Sequence, residues 1–199
     1  MDLLIIFISY LLGSIPFGYL VGRRLGVDIR RLGSGNTGAT NALRVLGPIP
    51  ALITAIADVG KGLVAVYLAR RFGVQTDCLP YLAGLAAMAG HNWSVFLRFG
   101  GGKGVATGAG ITGALVPTAL PYAVAVFVAT IFLTRYVSLG SILAAATIPV
   151  AAWLTGADRM GVVFGLVLAA TVIFQHRGNI QRLLAGNERK FGQKVEKGQ

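Results

Sequence analysis

Long apolar stretches alternate with short polar or glycine-rich connections along the whole chain. Several of the apolar stretches approach the roughly 20 residues that a helix needs to cross a bilayer. The first runs from Leu3 to Val21 and is interrupted by Pro16 and Gly18. A basic segment reaching Arg44 follows, and the second apolar stretch, Ile49 to Ala69, ends at Arg70-Arg71 with Asp77 beyond. The third is Leu79 to Leu97, followed by Arg98, a run of glycines and Lys103. From Val105 to Thr134 the chain is uncharged. At about 30 residues that run is too long for one span and suits two short ones divided near Pro117 and Pro121. Arg135 marks the next surface, Leu139 to Leu154 is a sixth span, Asp158-Arg159 a turn and Met160 to Phe174 a seventh. The pattern predicts an all-α membrane protein of about seven transmembrane helices, some short, with glycine-rich loops. Five spans are the alternative if the short segments are re-entrant. No second domain, internal repeat or low-complexity linker is visible, so residues 1–199 read as one integral membrane domain.

Composition agrees with that pattern, since 55% of the residues are hydrophobic, 13% are charged and the mean hydropathy is +0.71. This is too apolar for a soluble domain. The formal net charge of +11 would suit nucleic acid, but the charge lies in the connections between spans. Positive-inside topology accounts for it better, and no nucleic-acid partner is expected. Fourteen basic residues fall on one side (around Arg23–Arg44, at Arg98, Lys103 and Arg135, and in the tail) against Arg70, Arg71 and Arg159 on the other, with Lys61 inside a span. The N-terminus is therefore expected outside, and the C-terminus in the cytoplasm. The first apolar run lacks a basic leader and a clear cleavage site, so it reads as a span rather than a signal peptide. A single cysteine, Cys78, excludes an intramolecular disulfide. The reading calls for no metal and no cofactor.

Three cytoplasmic stretches depart from the apolar pattern. The first is Gly33-Ser34-Gly35-Asn36-Thr37-Gly38-Ala39-Thr40-Asn41. Its glycines permit a tight turn with convergent N–H groups, a concave anion site that Ser34 and Thr40 hydroxyls extend. If Ala39 starts a helix, Thr40 and Arg44 share a face and the loop sits at a helix N-terminus, where phosphate is favoured. The plain alternative is a flexible capping loop. The second stretch, Gly100-Gly101-Gly102-Lys103-Gly104-Val105-Ala106-Thr107-Gly108, also places glycines and a point charge before a helix start. It is not a Walker A loop, because Leu97 stands six before the lysine and Gly104 follows it. In the third stretch, His176, Asn179 and Arg182 recur every three residues on one helical face, ahead of Glu188. A basic tail binding acidic headgroups explains the arginines but not His176 and Asn179. Within the second span, Asp58 and Lys61 are either a structural ion pair or a substrate contact. His91 reads as a packing histidine, whereas Ser138 and Ser141 could cap the sixth span or reach a substrate.

These blocks resemble a known family, the bacterial acyl-phosphate glycerol-3-phosphate acyltransferases of the inner membrane. The resemblance covers nearly the whole chain through Gly33–Asn41 with Leu43-Arg44, Asp58 to Gly62, Gly90-His91 with Phe99 to Thr107, Arg135 to Ile142, and His176 to Glu188. Thr37 and Ser94 stand where many members carry proline. The resemblance implies acyl transfer from acyl phosphate to the 1-hydroxyl of sn-glycerol 3-phosphate, giving lysophosphatidic acid and phosphate, the first step of bacterial phospholipid synthesis. It implies seven spans, and functional coupling to the soluble enzyme that makes acyl phosphate. A mixed anhydride has a good leaving group and requires no acyl-enzyme. On this reading Ser34, Gly35, Thr40, Arg44, His176 and Asn179 hold the donor phosphate and the developing oxyanion. Asn36, Lys103 and Ser141 hold glycerol 3-phosphate, with Asp58, Lys61, Gly102 and Glu188 as further candidates. Either His176 or the donor phosphate takes the proton, and the second is favoured because no carboxylate stands where it would orient His176. The His–Asp pair of soluble-donor acyltransferases is missing, since Phe96 and Gln181 occupy the positions five after His91 and His176. The remaining alternative is a transporter or binding protein for organic phosphates.

Overall fold

The computed structural model describes residues 1–74 and 76–193, so that the tail's Lys194 and Lys197, counted above, lie outside the described residues. The chain begins with α1 (Asp2–Ser14) and α2 (Phe17–Arg24), an apolar unit broken where Pro16 withholds an N–H and forces Ile15 into an extended conformation. A polar loop leads to the short α3 (Ala39–Val45), and Gly47 turns the chain into α4 (Pro48–Phe72), which has prolines in its first turn and Arg70 and Arg71 in its last. Next come α5 (Leu79–Asn92), α6 (Val105–Leu115) and α7 (Leu120–Thr134). The last three helices are α8 (Val137–Leu154), α9 (Arg159–Gln175) and α10 (Arg177–Leu184). Asp158 caps α9 by accepting the Gly161 amide at 2.8 Å.

All seven apolar segments expected from the sequence are helical among the described residues. The combined α1–α2 unit, α4 and α8 are long enough to cross a bilayer, and α9 with α10 forms a further unit bent by 60°. The uncharged Val105–Thr134 run does divide near Pro117, into α6 and α7. The third segment stops at Asn92, short of Leu97. There the Ser94 amide donates to Gly100 O at 2.9 Å and the Ser94 hydroxyl to Ser14 O at 2.6 Å, closing a loop against the end of α1. This irregular loop explains how α6 can be only 11 residues long, because non-helical backbone at membrane depth is tolerated where it lines a cavity.

The helix α1 packs on α5, α4 lies between α5 and α6, and α8 joins α7 to α9. The main core gathers Val66, Met88, Ile111, Ile148, Phe164 and Leu168. Much of the remaining buried surface is alanine, serine and threonine, the small residues that let membrane helices approach closely. Leu3, Ile49, Phe132, Leu133 and Trp153 point outward and are exposed, an apolar belt that fits lipid.

Candidate active site

The first polar loop is folded around one side chain. Asn41 is 1% exposed; its Oδ1 accepts the Ser34 amide at 2.9 Å, and its Nδ2 faces Ile29 O, Leu32 O and Asn36 O at 2.9–3.2 Å. Gly35 makes the turn with φ of 70°. Asn36 Oδ1 accepts the Gly38 amide at 2.8 Å, an Asx turn that launches α3. Thr40 and Arg44 are then on one helical face and both border the same cavity. The Ala39 and Thr40 amides lie in the first turn of α3, where the helix has no carbonyl for them.

The second loop leaves α5 through a tight turn in which Arg98 and Phe99 both adopt left-handed backbone, with φ of 54° and 63°. Lys103 extends from the end of this loop at the start of α6 and donates to Asn179 Oδ1. Burial pushes the Lys103 ammonium pKa down to about 8; Glu188 opposes the shift, and Arg182 and Arg44 reinforce it.

The third element is the bend between α9 and α10, occupied by His176. Its Nδ1 lies 2.8 Å from Val172 O. A carbonyl only accepts, so Nδ1 carries the hydrogen and Nε2 presents a lone pair. Burial, with Lys103 nearby, lowers the His176 pKa to about 4, so the ring is neutral at physiological pH. One turn on, Asn179 Nδ2 donates to Glu188 Oε1 at 2.6 Å, where Ser138 Oγ also donates at 2.8 Å. Arg182 Nε donates to the other carboxylate oxygen at 2.8 Å. Burial would raise the Glu188 pKa, but the hydrogen bonds from Asn179, Ser138 and Arg182 prevail and lower it. The result is a fixed chain from Lys103 through Asn179 and Glu188 to Arg182. The segment after α10 is tied down as Arg44 Nη2 donates to Arg189 O at 3.4 Å and the Phe191 amide to Arg135 O at 2.6 Å.

These elements enclose one cavity of about 670 Å³. Its polar end carries Ser34, Asn36, Thr40, Arg44, Lys103, Ser141, His176, Asn179 and Glu188, with Asp58 also in the wall. The rest of its wall is largely apolar and includes Leu120, Val124, Phe127, Ile148 and Leu168. Three residues singled out from sequence do not border it. The Gly35 amide is spent on Leu32 O at 3.0 Å and the Gly102 amide on His91 O at 2.9 Å, so neither N–H is free for an anion. Lys61 Nζ points instead at Ile15 O, 3.2 Å away. The Ser141 hydroxyl donates to Val137 O in its own helix at 2.9 Å, leaving its oxygen toward the cavity wall as an acceptor. Sequence reasoning gave Asn41 no role and left His176 without an orienting group. The orienting group is a main-chain carbonyl, which no side-chain motif announces. The Ser138–Glu188 pair spans 50 positions and has no local signal.

The family model described as glycerol-3-phosphate acyltransferase matches residues 3–186. A glycerol-3-phosphate acyltransferase of Desulforudis audaxviator is 52% identical over 190 residues, covering 95% of each chain. One from Clostridioides difficile is 44% identical and covers 98% of this chain and 97% of its own length. Among solved structures, PlsY (YgiH), an integral membrane glycerol 3-phosphate acyltransferase, superposes in its glycerol 3-phosphate form with a TM-score of 0.90 at 38% identity, covering 96% of both chains. Its lysophosphatidic acid form gives 0.88 at 37% identity, covering 96% of this chain and 95% of that one. On the family match and on these full-length identities, the chain is an integral membrane protein of the glycerol-3-phosphate acyltransferase family.

Proposed function

We propose that the chain transfers a fatty acyl group from acyl phosphate to the 1-hydroxyl of sn-glycerol 3-phosphate, releasing lysophosphatidic acid and phosphate. The observation that carries this reading is the mixed lining of the cavity. One cavity combines cationic groups, Arg44 and Lys103, with a largely apolar remainder of its wall, as a donor with a phosphate head and an acyl tail requires. The PlsY neighbours, solved with an acceptor form and a product form, support the same assignment of substrates. Family membership sets aside the organic-phosphate transporter in favour of an enzyme.

The donor phosphate lies on the Ser34 loop and the α3 N-terminus, with Arg44 beside it, where dipole and charge both favour an anion. Glycerol 3-phosphate is held through Lys103, with Asn36 and Ser141 at the same end. The 1-hydroxyl oxygen attacks the acyl carbonyl carbon, a C–O ester bond forms and the bond from that carbon to the phosphate oxygen breaks. With Nδ1 committed to Val172 O, His176 Nε2 accepts a hydrogen bond from the attacking hydroxyl and orients it. An imidazole with a pKa near 4 is a weak base at neutral pH, whereas phosphate becomes more basic as the anhydride opens, so the proton goes to the departing phosphate. Catalysis then consists of positioning and charge stabilisation.

The excess of basic residues on one side supports a bacterial inner-membrane location with the N-terminus outside and the site cytoplasmic. A soluble enzyme that makes acyl phosphate is the expected supplier of the donor. The test is direct. Purified protein given acyl phosphate and glycerol 3-phosphate should form lysophosphatidic acid and equimolar phosphate, and none should form from acyl-CoA. Turnover of acyl-CoA at a comparable rate refutes the donor assignment.

A further inference from the structure

Asp58, Lys61 and His91 take no part in the mechanism above, yet they form a buried polar cluster, an Asp58–Lys61 ion pair with the His91 ring beside it, between its two glycine loops. Lys61 Nζ lies 2.8 Å from Asp58 Oδ1, and His91 Nδ1 lies 3.5 Å from the same oxygen. All three residues are at most 7% exposed. Charges at such depth in a span are costly and are retained where they line a site or fix a geometry. The outward contacts of this cluster end on the supports of the two loops. On one side, Lys61 Nζ donates to Ile15 O at 3.2 Å, at the α1–α2 break, and its ammonium stands 5.9 Å from the Phe17 ring at the first residue of α2. The next residue, Gly18, presses its bare backbone against the donor loop, where an added Cβ would strike Thr37 O. On the other side, His91 O accepts the Gly102 amide at 2.9 Å, and a Cβ at Gly102 would strike the His91 ring. Lys103 is the next residue.

We infer that Asp58, Lys61 and His91 are positioning residues that fix the register between the Ser34 loop and the Lys103 loop, and with it the distance between bound donor and acceptor. Hydrogen-bonded contacts such as those of Lys61 to Asp58 and Ile15 O suit this task because an N–H···O bond is directional, while an apolar triad of equal volume would fill the space without dictating register. The inference rests on the proposed assignment of the two loops to the two substrates. A shift of about 1 Å between reacting groups lowers the rate by as much as about 100-fold.

The test is steady-state kinetics, with melting temperature measured on the same purified samples. The double variant Asp58→Asn, Lys61→Met keeps side-chain volume and removes both charges. It is expected to melt within a few degrees of wild type while kcat falls about 10- to 100-fold. His91→Gln, which leaves the Asp58–Lys61 pair and its Ile15 contact in place and alters the packing against Gly102, is expected to raise KM for glycerol 3-phosphate about tenfold and leave KM for acyl phosphate unchanged. If the double variant does not fold, the KM split of His91→Gln decides alone. Wild-type kcat and KM per folded molecule in these variants, whatever their melting temperature, reduce the cluster to a helix tether and overturn the inference. Lys103→Ala separates the two levels. An unchanged KM for glycerol 3-phosphate in that variant refutes the acceptor assignment itself, whereas a raised KM there with no effect of His91→Gln refutes only the positioning role.

Discussion

Lys103→Ala tests the acceptor end of the cavity most sharply. The substitution removes an ammonium that donates to Asn179 and, on the proposed reading, to the phosphate of glycerol 3-phosphate. A hydrogen bond to a charged group is worth about 1.5–3 kcal/mol, which corresponds to about a 10- to 150-fold rise in KM. The phosphate of the acceptor is remote from the hydroxyl that reacts, so ground and transition states lose the contact equally and kcat changes by about two- to threefold at most. The pH dependence gives an independent signature. Because the Lys103 pKa in the free protein is about 8 rather than 10.5, the protonated form that binds the phosphate is lost from about pH 8 upward. The ligand's own second ionisation, near 6, is complete by then. KM for glycerol 3-phosphate should therefore climb toward tenfold per pH unit above pH 8 in the wild type and be flat over that range in Lys103→Ala. Stability carries the opposite sign. The unfolded chain holds this proton up to about pH 10.5 while the folded one releases it near 8, so charged Lys103 destabilises the empty protein below pH 8 and the penalty fades between 8 and 10.5. Lys103→Met should melt higher than wild type at pH 7, by a margin that shrinks toward pH 10. A variant with unchanged KM and collapsed kcat would refute the reasoning, since Lys103 would then act on the reacting atoms.

Other outcomes follow from the same geometry. His176→Gln keeps an acceptor for the hydroxyl and should retain more activity than His176→Ala; if the two are equally inactive while folded, the ring is the base and the phosphate route is wrong. Asn41→Leu should lower kcat and raise KM for acyl phosphate, with a loss of about 2–4 kcal/mol from the backbone groups left unpaired. Asn41→Asp should melt lower still, because a carboxylate would face three carbonyl oxygens. For orientation, in a Cys78→Ser background, Arg31→Cys, whose side chain is 86% exposed, should stay unlabelled by an impermeant thiol reagent outside intact cells, and Asp77→Cys should label. The reverse pattern inverts the topology.

The helices were legible because hydropathy and proline report on local chain physics. Pro16 marked the α1–α2 break and Pro117 the division between α6 and α7. The end of α5 was not legible, because the residues after Asn92 are largely apolar and what turns them aside includes the contact of Ser94 with Ser14, 80 positions away. The same division runs through the site. Ser34, Arg44, Lys103 and His176 carry unusual chemistry in glycine-rich or polar surroundings, and so they stood out. What organises them did not: Asn41 acts through its own backbone neighbours, Val172 orients His176 through a carbonyl, and His91 meets Asp58 across two helices. Gly35 and Gly102 matched an anion-loop pattern, but their amides are consumed inside the fold, a fact that depends on where each loop's carbonyls lie.

The polar lining and the apolar lining belong to a single cavity. On the proposed reaction, the lysolipid formed there keeps the donor's chain and the acceptor's head, so it fills both regions together. The product is thus a bisubstrate ligand for the catalyst that makes it, competing with each substrate in turn. Escape is a partition into the adjoining leaflet, and the pace of synthesis becomes a property of the surrounding bilayer. A membrane in which lysolipid is promptly acylated again would draw the reaction forward, and one in which it accumulates would stall it with no regulator bound.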